Sequence, residues 1–417
     1  MMRRCLDVYL HEDKIGILEQ SDDGQLIFSY RADYLTDNAT ALSVAMPLRE
    51  APFPDAITRP FFSGLLPDDG TRKRLAAALG VSQDNAFGLL EIVGGECAGA
   101  LCLLPQGKTP PDYRCDDSQP LSDTRLSELL ALLRQRPLLG GRHGVRLSLA
   151  GVQDKLAVCV IDAAIALPQQ GRPTTHILKP SIEYLDGAVE NELFCMKLAA
   201  KMGLNAPSVA MSSVGKTDFI LIERYDRHLD NAGKILRRHQ EDFCQALSIP
   251  PEMKYEDEGG PGVSMSQHLI QTHTRHPAAD RISFQKRLIF HYLIGNADAH
   301  AKNFSLLYNA QTPDLAPLYD VVCTAAYPHL AKGMAMKIGG RALPDTIRLK
   351  HWLTLVAPTK TARTLFSNTL LSMAIEIERQ ANALLIELDT EGIRHPILKA
   401  IGKVISTRAG LIQRAVQ

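Results

Sequence analysis

The chain has 417 residues, of which 45% are hydrophobic and 22% are charged. These values are typical of a soluble globular protein with two or three domains, and they exclude disordered and collagen-like proteins. The 46 basic and 46 acidic side chains balance, so no overall positive field favours direct binding of DNA by this chain alone.

Cysteine usage and hydropathy indicate a cellular compartment. The eight cysteines are scattered, contain no Cys-x-x-Cys pair and lie partly in apolar runs, which is typical of reduced thiols in the cytoplasm. Acidic residues near the N-terminus interrupt any apolar signal core, and no run approaches the roughly 18 apolar residues of a membrane span. We expect a cytoplasmic protein that does not enter a membrane.

The first predicted elements form a small subdomain over residues 1–140. A small antiparallel sheet is indicated by alternating runs at 6–10, 15–18 and 25–30. Asp68 begins a capped helix that is expected to continue to Ala78, and a second amphipathic helix is predicted near 121–135. The proline-rich segment 104–120 is expected to be a loop.

The rest of the chain divides into a sheet and a set of helices. Residues 141–238 are expected to form a nucleotide-binding lobe, with strands at 145–150, 155–161, 176–179, 207–212 and 218–224 and a helix at 188–202. Residues 239–417 are expected to form an all-helical lobe, with long helices at 263–275, 280–295, 361–388 and 395–415. The predicted class is α+β, in the order of a bilobal protein-kinase-like fold.

A polar loop interrupts the helical lobe at Gly295–Phe304. It contains Asp298 and, five positions later, Asn303, the spacing at which kinase catalytic loops place a proton-accepting Asp and a magnesium-binding Asn. Asp and Asn are also ordinary turn and cap residues. The long apolar helix before the loop and the apolar run after it favour a site, because a surface turn would not need buried elements on both sides.

Three further groups fit a phosphoryl-transfer site. Asp320 lies 17 residues after Asn303 between apolar, strand-forming neighbours, the context in which a kinase places its main magnesium-binding Asp. Lys179 ends a predicted strand and could contact phosphates if Glu192, early in the next helix, orients it by an ion pair. Glu223 and Tyr225, at the end of another strand, are candidates for binding an adenine base.

A phosphate-binding loop is predicted between two strands, in the segment 146–155. No Gly-x-Gly-x-x-Gly motif occurs there, but Ser148, Ala150 and Gly151 are small enough to let backbone amides approach a phosphate. We include Val152 in this loop. His300 and Lys302, within the Asp298 loop, complete the set of predicted nucleotide-binding residues.

The chain resembles the HipA family of bacterial toxin serine/threonine kinases along most of its length. The resemblance rests on seven blocks in the same order, which contain Ser148–Lys155, Thr175–Lys179, Glu223–Arg227, His239–Gln245, Lys254–Gly262, and the Asp298 and Asp320 segments. It implies that Asp298 is the catalytic base, that Asn303 and Asp320 hold Mg²⁺, that Lys179 contacts the phosphates of ATP, and that Ser148 is autophosphorylated, which switches the kinase off.

The resemblance also implies partners. One is a HipB-like helix-turn-helix antitoxin, and the kinase would reach operator DNA only through it. The other is a protein substrate such as glutamyl-tRNA synthetase. Two alternatives stay open from the residues themselves. One is a small-molecule phosphotransferase with the same Asp and Asn spacing, and the other is a nucleotide-binding corepressor without catalysis.

Overall fold

The computed structural model describes residues 4–110, 120–133, 136–139, 148–151, 153–161, 164–168, 173–230 and 234–416. Within these ranges the chain has an α+β architecture. The strands are β1 (Arg4–Leu10), β2 (Asp13–Gln20), β3 (Leu26–Tyr30), β4 (Leu101–Pro105), β5 (Leu156–Ile161), β6 (Ala164–Ala166), β7 (His176–Pro180), β8 (Val209–Val214), β9 (Thr217–Glu223), β10 (Arg227–Leu229), β11 (Ile235–Arg237), β12 (His239–Asp242), β13 (Ser305–Tyr308) and β14 (Asp314–Leu315).

The helices of the described residues are distributed along the chain, and the longest lie in its C-terminal part. The helices are α1 (Asp55–Gly64), α2 (Asp69–Leu79), α3 (Ala86–Val93), α4 (Asp123–Leu133), α5 (Ala188–Lys201), α6 (Phe243–Ala246), α7 (Val263–His273), α8 (Pro277–Ile294), α9 (Leu349–Trp352), α10 (Lys360–Thr390) and α11 (Pro396–Val416). The long helices match the predicted ones to within a few residues. Among the described residues, no helix is both long enough and apolar enough to cross a membrane.

The N-terminal sheet has the strand order β3-β2-β1-β4, with all neighbours antiparallel. Alternate residues of β1, such as Leu6, Val8 and Leu10, are buried in the main hydrophobic core, because alternate side chains share one face of a sheet. The first three strands were predicted. β4 was not, since its first four residues are all buried and therefore show no alternation.

The central sheet has the order β6-β5-β7-β9-β8. β7 runs antiparallel to both β5 and β9, which places Lys179 opposite Ile220 and His176 opposite Glu223. The strand predicted at 145–150 is wrong for 148–150, which form a loop. Residues 145–147 lie outside the described ranges.

The chain divides into two compact units. The first comprises Met1–Pro180, Ser212–Met253 and Ser305–Ala316, and the second comprises Ser181–Met211, Lys254–Phe304 and Pro317–Gln417. In the second unit, α8, α10 and α11 pack against one another, and α10 and α11 also contact α5. The predicted helical segment 239–417 contains one short sheet, β12-β13-β14, which belongs to the first unit.

Candidate active site

The loop that carries Asp298 begins where α8 ends. Gly295 terminates the helix in the left-handed conformation, with φ +79°, which favours glycine because it lacks a Cβ. A Cβ added there would lie 2.7 Å from Val404 Cγ1 and 2.8 Å from Ala325 Cβ. The close packing and the backbone angle both require glycine at position 295. They fix the direction in which the chain continues after α8 into the Asp298 loop.

Buried hydrogen bonds hold the loop after Gly295. The side chains of Asn296 and His291 are joined by a bond of 3.1 Å from Nδ2 to Nδ1, and Asn296 Oδ1 accepts the Asp298 N–H at 2.9 Å. Burial lowers the pKa of His291 to about 3, so its ring is neutral and Nδ1 can accept a hydrogen bond. Ala297 N donates to Thr324 Oγ1 at 2.7 Å. The backbone of Asp298 is thus positioned from inside the fold.

The Asp298 side chain lies at the surface of its unit. Its Oδ1 accepts a hydrogen bond of 2.7 Å from the phenol of Tyr255. The sequence placed Tyr255 in a family motif but gave it no role. Only the fold reveals this contact, because the two residues are 43 positions apart.

Asn303 and Asp320 lie side by side, as their predicted role requires. Asn303 Nδ2 donates to Asp320 Oδ2 at 3.1 Å, and Asn303 Oδ1 accepts the His300 N–H at 3.2 Å. An amide oxygen and a carboxylate are suitable ligands for Mg²⁺, which usually takes one or two protein carboxylates and completes its shell with water and phosphate oxygens. The residue types suit such an ion, although the Asn303 side chain presents its amide nitrogen to Asp320 here.

The strand context predicted around Asp320 is wrong. No strand includes residues 316–323, and Asp320 itself has φ +57°. Asp tolerates this left-handed region better than most residues, and the turn aims its carboxylate at Asn303. The neighbours Leu318 and Val321 are buried, which accounts for the strand-like hydropathy without a strand.

His300 and Lys302 are both buried in the same loop, with 7% and 6% of their surfaces exposed. The backbone carbonyl of Lys302 accepts a hydrogen bond of 2.6 Å from the Tyr319 phenol. The His300 ring packs against Tyr255, with centroids 5.1 Å apart and planes at 85°. Their contact with a nucleotide stays a prediction.

In the first unit, Lys179 lies on β7, Glu223 is the last residue of β9 and Tyr225 follows that strand. Lys179 is buried with 4% exposure, and Glu223 is exposed at the end of β9. The phenol of Tyr225 bonds to the side chain of Gln240. Glu192, the proposed partner of Lys179, is buried on α5 with 2% exposure, in the second unit.

The Ser148 loop is held inside the first unit. Ser148 is fully buried; its N–H donates to Glu96 O at 2.8 Å and its Oγ to Leu65 O at 2.7 Å. Ala150 O accepts Lys155 Nζ at 2.6 Å, and Gly151 has φ +109°, so glycine is favoured there. Val152 lies outside the described residues.

A buried ionic network supports this loop and the end of β9. Glu96 accepts from Arg227 Nη2 at 3.0 Å and from Thr174 N at 3.0 Å, and Asp226 pairs with Arg224 through two bonds of 2.9 and 2.7 Å. Although burial raises it, the charges of Arg224 and Arg227 hold the pKa of Asp226 well below its usual range. The sequence reasoning missed Glu96, whose partners are distant in the chain.

Comparison with known protein families shows to which family the chain belongs. Residues 147–384, more than half of the chain, match the family model described as "HipA-like C-terminal domain", and residues 6–104 match "HipA N-terminal domain". The chain belongs to the HipA family. The resemblance drawn from sequence motifs is confirmed.

Individual HipA-family relatives agree with this assignment. The chain is 44% identical to the "Putative kinase Y4mE" of Sinorhizobium fredii over 85% of each chain. It is 29% identical to the "Serine/threonine-protein kinase toxin HipA" of Shewanella oneidensis over 78% of each. The solved complex of Shewanella oneidensis HipA, HipB and operator DNA contains a chain that matches with a TM-score of 0.83 and 24% identity, over 98% of this chain and 99% of that one.

The structural match confirms the predicted α+β fold as that of HipA. The relatives are named as kinases, and the protein is a kinase of the HipA family. In this family context, the described arrangement of Asp298, Asn303 and Asp320 becomes the candidate for the phosphoryl-transfer site.

Proposed function

We propose that the protein is an ATP- and Mg²⁺-dependent serine/threonine protein kinase and the toxin of a toxin–antitoxin pair. The observation that carries this proposal is the constellation in the second unit. Asp298 is exposed on a loop that buried hydrogen bonds hold, and Asn303 Nδ2 lies 3.1 Å from Asp320 Oδ2. A purely structural ion pair would join two charged groups and would not need the Asn303 amide beside Asp320. A simple surface turn would not need the buried hydrogen bond between His291 and Asn296.

Asp298 acts as the general base in this proposal. It accepts the proton of a substrate hydroxyl while that oxygen forms a bond to the γ-phosphorus. The bond from this phosphorus to the bridging oxygen breaks, and its electron pair stays on the departing ADP. Asn303 and Asp320 would hold the Mg²⁺, which would neutralise negative charge on the phosphates of the nucleotide.

The nucleotide would be bound by residues that we assign to three tasks. Lys179, oriented by Glu192, contacts the phosphates, and the backbone near Glu223 and Tyr225 meets the adenine. The remaining predicted contacts come from the small-residue loop and the Asp298 loop, namely Ser148, Ala150, Gly151, Val152, His300 and Lys302.

Autophosphorylation of Ser148 would act as an off switch. In the described conformation Ser148 is fully buried and donates to the Leu65 carbonyl. A phosphate adds about 1.5 to 2 negative charges at neutral pH, and this site has no room or solvent for them. The modified loop would therefore have to leave its position, and the small residues that approach the nucleotide would leave with it.

The expected partners follow from the family. One relative has been solved with HipB and its operator DNA, and we propose a helix-turn-helix antitoxin for this kinase, with DNA reached only through it. The proposed substrate is a cytoplasmic protein such as glutamyl-tRNA synthetase.

Incubation with Mg²⁺ and ATP, followed by mass spectrometry of phosphorylation sites, tests this function. The samples would be the purified chain alone, the chain with glutamyl-tRNA synthetase and the chain with aminoglycosides. We expect phosphoserine at Ser148 and on the protein substrate. Transfer to the small molecules only would support the small-molecule phosphotransferase, and no transfer with retained ATP binding would support the corepressor.

A further inference from the structure

We propose that Tyr255 is a positioning residue for the base: its phenol holds Asp298 in the orientation that accepts the substrate proton. This inference rests on the proposed function of Asp298. The observation behind it is the 2.7 Å hydrogen bond from Tyr255 Oη to Asp298 Oδ1, made by a half-buried tyrosine to an exposed carboxylate.

The Tyr255 ring is itself held in place. It packs edge-on against the His300 ring at 5.1 Å, and the Lys254 ammonium lies 5.6 Å from its centroid. The Tyr255 carbonyl accepts the N–H groups of Glu258 at 3.0 Å and Gly260 at 2.9 Å. A side chain fixed at both its backbone and its ring can orient a partner, which a freely rotating surface tyrosine could not do.

One segment of backbone sets the distance between the two residues. Ala335 N donates to the carbonyl of Ala297, next to Asp298, at 2.8 Å, and Ala335 O accepts the N–H of Glu256, next to Tyr255, at 3.3 Å. The Glu256 carboxylate accepts Lys337 N at 2.6 Å. Ala335 thus ties the loop of the base to the loop of the tyrosine.

The consequence for catalysis is geometric. A donor to one carboxylate oxygen restricts rotation of the group, and it stabilises the ionised form. With Oδ1 bound to Tyr255, the substrate proton would pass to Oδ2. Loss of the phenol would leave the base present but less well aimed, and small misplacements of reacting groups lower rates strongly.

An opposite role of the same contact makes a different prediction. The phenol could stand where a substrate hydroxyl binds and so mask the base. Masking predicts that removing the phenol raises the rate, whereas positioning predicts that it lowers the rate.

The test compares Tyr255→Phe with wild type and with a matched control, Tyr327→Phe. Tyr327 also lies in the second unit, where its phenol donates to the Asp186 carbonyl at 3.2 Å. The readout is autophosphorylation of the full chain with Mg²⁺ and ATP. We expect Tyr255→Phe to lower the maximal rate about tenfold, with the half-saturating ATP concentration unchanged. In the dependence of the rate on pH, the fall on the acid side should move to higher pH. The reason is that the ionised Asp298 carboxylate loses the hydrogen bond from the Tyr255 phenol. Tyr327→Phe should match wild type.

A maximal rate of Tyr255→Phe equal to or above that of wild type would overturn the inference, while leaving the proposed function intact if Asp298→Asn is inactive. Carboxyl ¹³C NMR adds a readout without turnover. An ionisation midpoint of Asp298 that is the same in wild type and Tyr255→Phe would also refute the positioning role. Transfer that survives Asp298→Asn would instead refute the proposed function.

Discussion

Asn303 and Asp320 offer the most local prediction, because the two side chains adjoin, with Asn303 Nδ2 donating to Asp320 Oδ2 at 3.1 Å. Asn303→Ala and Asp320→Ala should each weaken ATP binding about tenfold or more in the presence of Mg²⁺, and little in EDTA, because each removes a metal ligand. Isothermal titration calorimetry with and without Mg²⁺ measures this difference.

Asn309→Ala provides the matched control, since Asn309 is an exposed amide whose Nδ2 donates to Asp314 Oδ2 at 3.0 Å. Equal weakening with and without Mg²⁺ would contradict the metal role and indicate a general loss of structure.

Single residues were predictable where spacing along the chain carries the chemistry. Asp298 and Asn303 are five positions apart, so one loop defines them both. Tyr255 and Glu96 were missed because each acts through a partner that is distant in sequence, and nothing in a local pattern indicates such a contact.

At the scale of elements, the end of α8 determines where the base is presented. Gly295→Ala should destabilise the protein by about 2 to 4 kcal/mol, since it adds left-handed strain to steric overlap in a packed interior. Gly392→Ala separates the two causes, because Gly392 has φ +81° but nothing within 4 Å of an added Cβ. We expect that control to lose only about 1 kcal/mol, as measured by urea unfolding. Equal losses in the two variants would show that the packing around Gly295 is unimportant.

Helices were predicted better than strands. α8, α10 and α11 have long periodic faces, and length makes a periodicity unambiguous. α1 was missed because Pro60 lies inside it, and β13 was read only as an apolar run because all four of its residues are buried. Around Asp320, buried side chains on a turn imitated a strand. For β13 and for the Asp320 segment, burial in the folded protein determined the hydropathy pattern, so the sequence carried no alternation that identifies the element.

At the scale of the whole molecule, stability depends on two buried groups with opposite pH effects. Burial lowers the pKa of His291 to about 3, from 6.5, so stability present above pH 6.5 is lost as the pH falls through that window. Burial raises the pKa of Glu241 to about 7, from 4.5, so its contribution is present below pH 4.5 and is lost as the pH rises to 7.

His291→Gln should therefore lose less stability than wild type between pH 7 and pH 5, by about 2 kcal/mol. Glu241→Gln should lose more over the same interval, because the opposing group is gone. Urea unfolding at several pH values measures both slopes. Parallel curves for wild type and His291→Gln would contradict the assignment of a buried neutral imidazole.

The proposed phosphoryl transfer depends on Asp298 as the base of a HipA-family kinase. The most direct measurement is the initial rate of labelled phosphate transfer from ATP to serine by wild type, by Asp298→Asn and by Asp389→Asn, an exposed α10 carboxylate paired with Arg394. We predict that Asp298→Asn lowers the rate about a hundredfold to ten-thousandfold, while Asp389→Asn equals wild type. An Asp298→Asn rate within about twofold of wild type, against the hundredfold expected of a general base, would contradict the account.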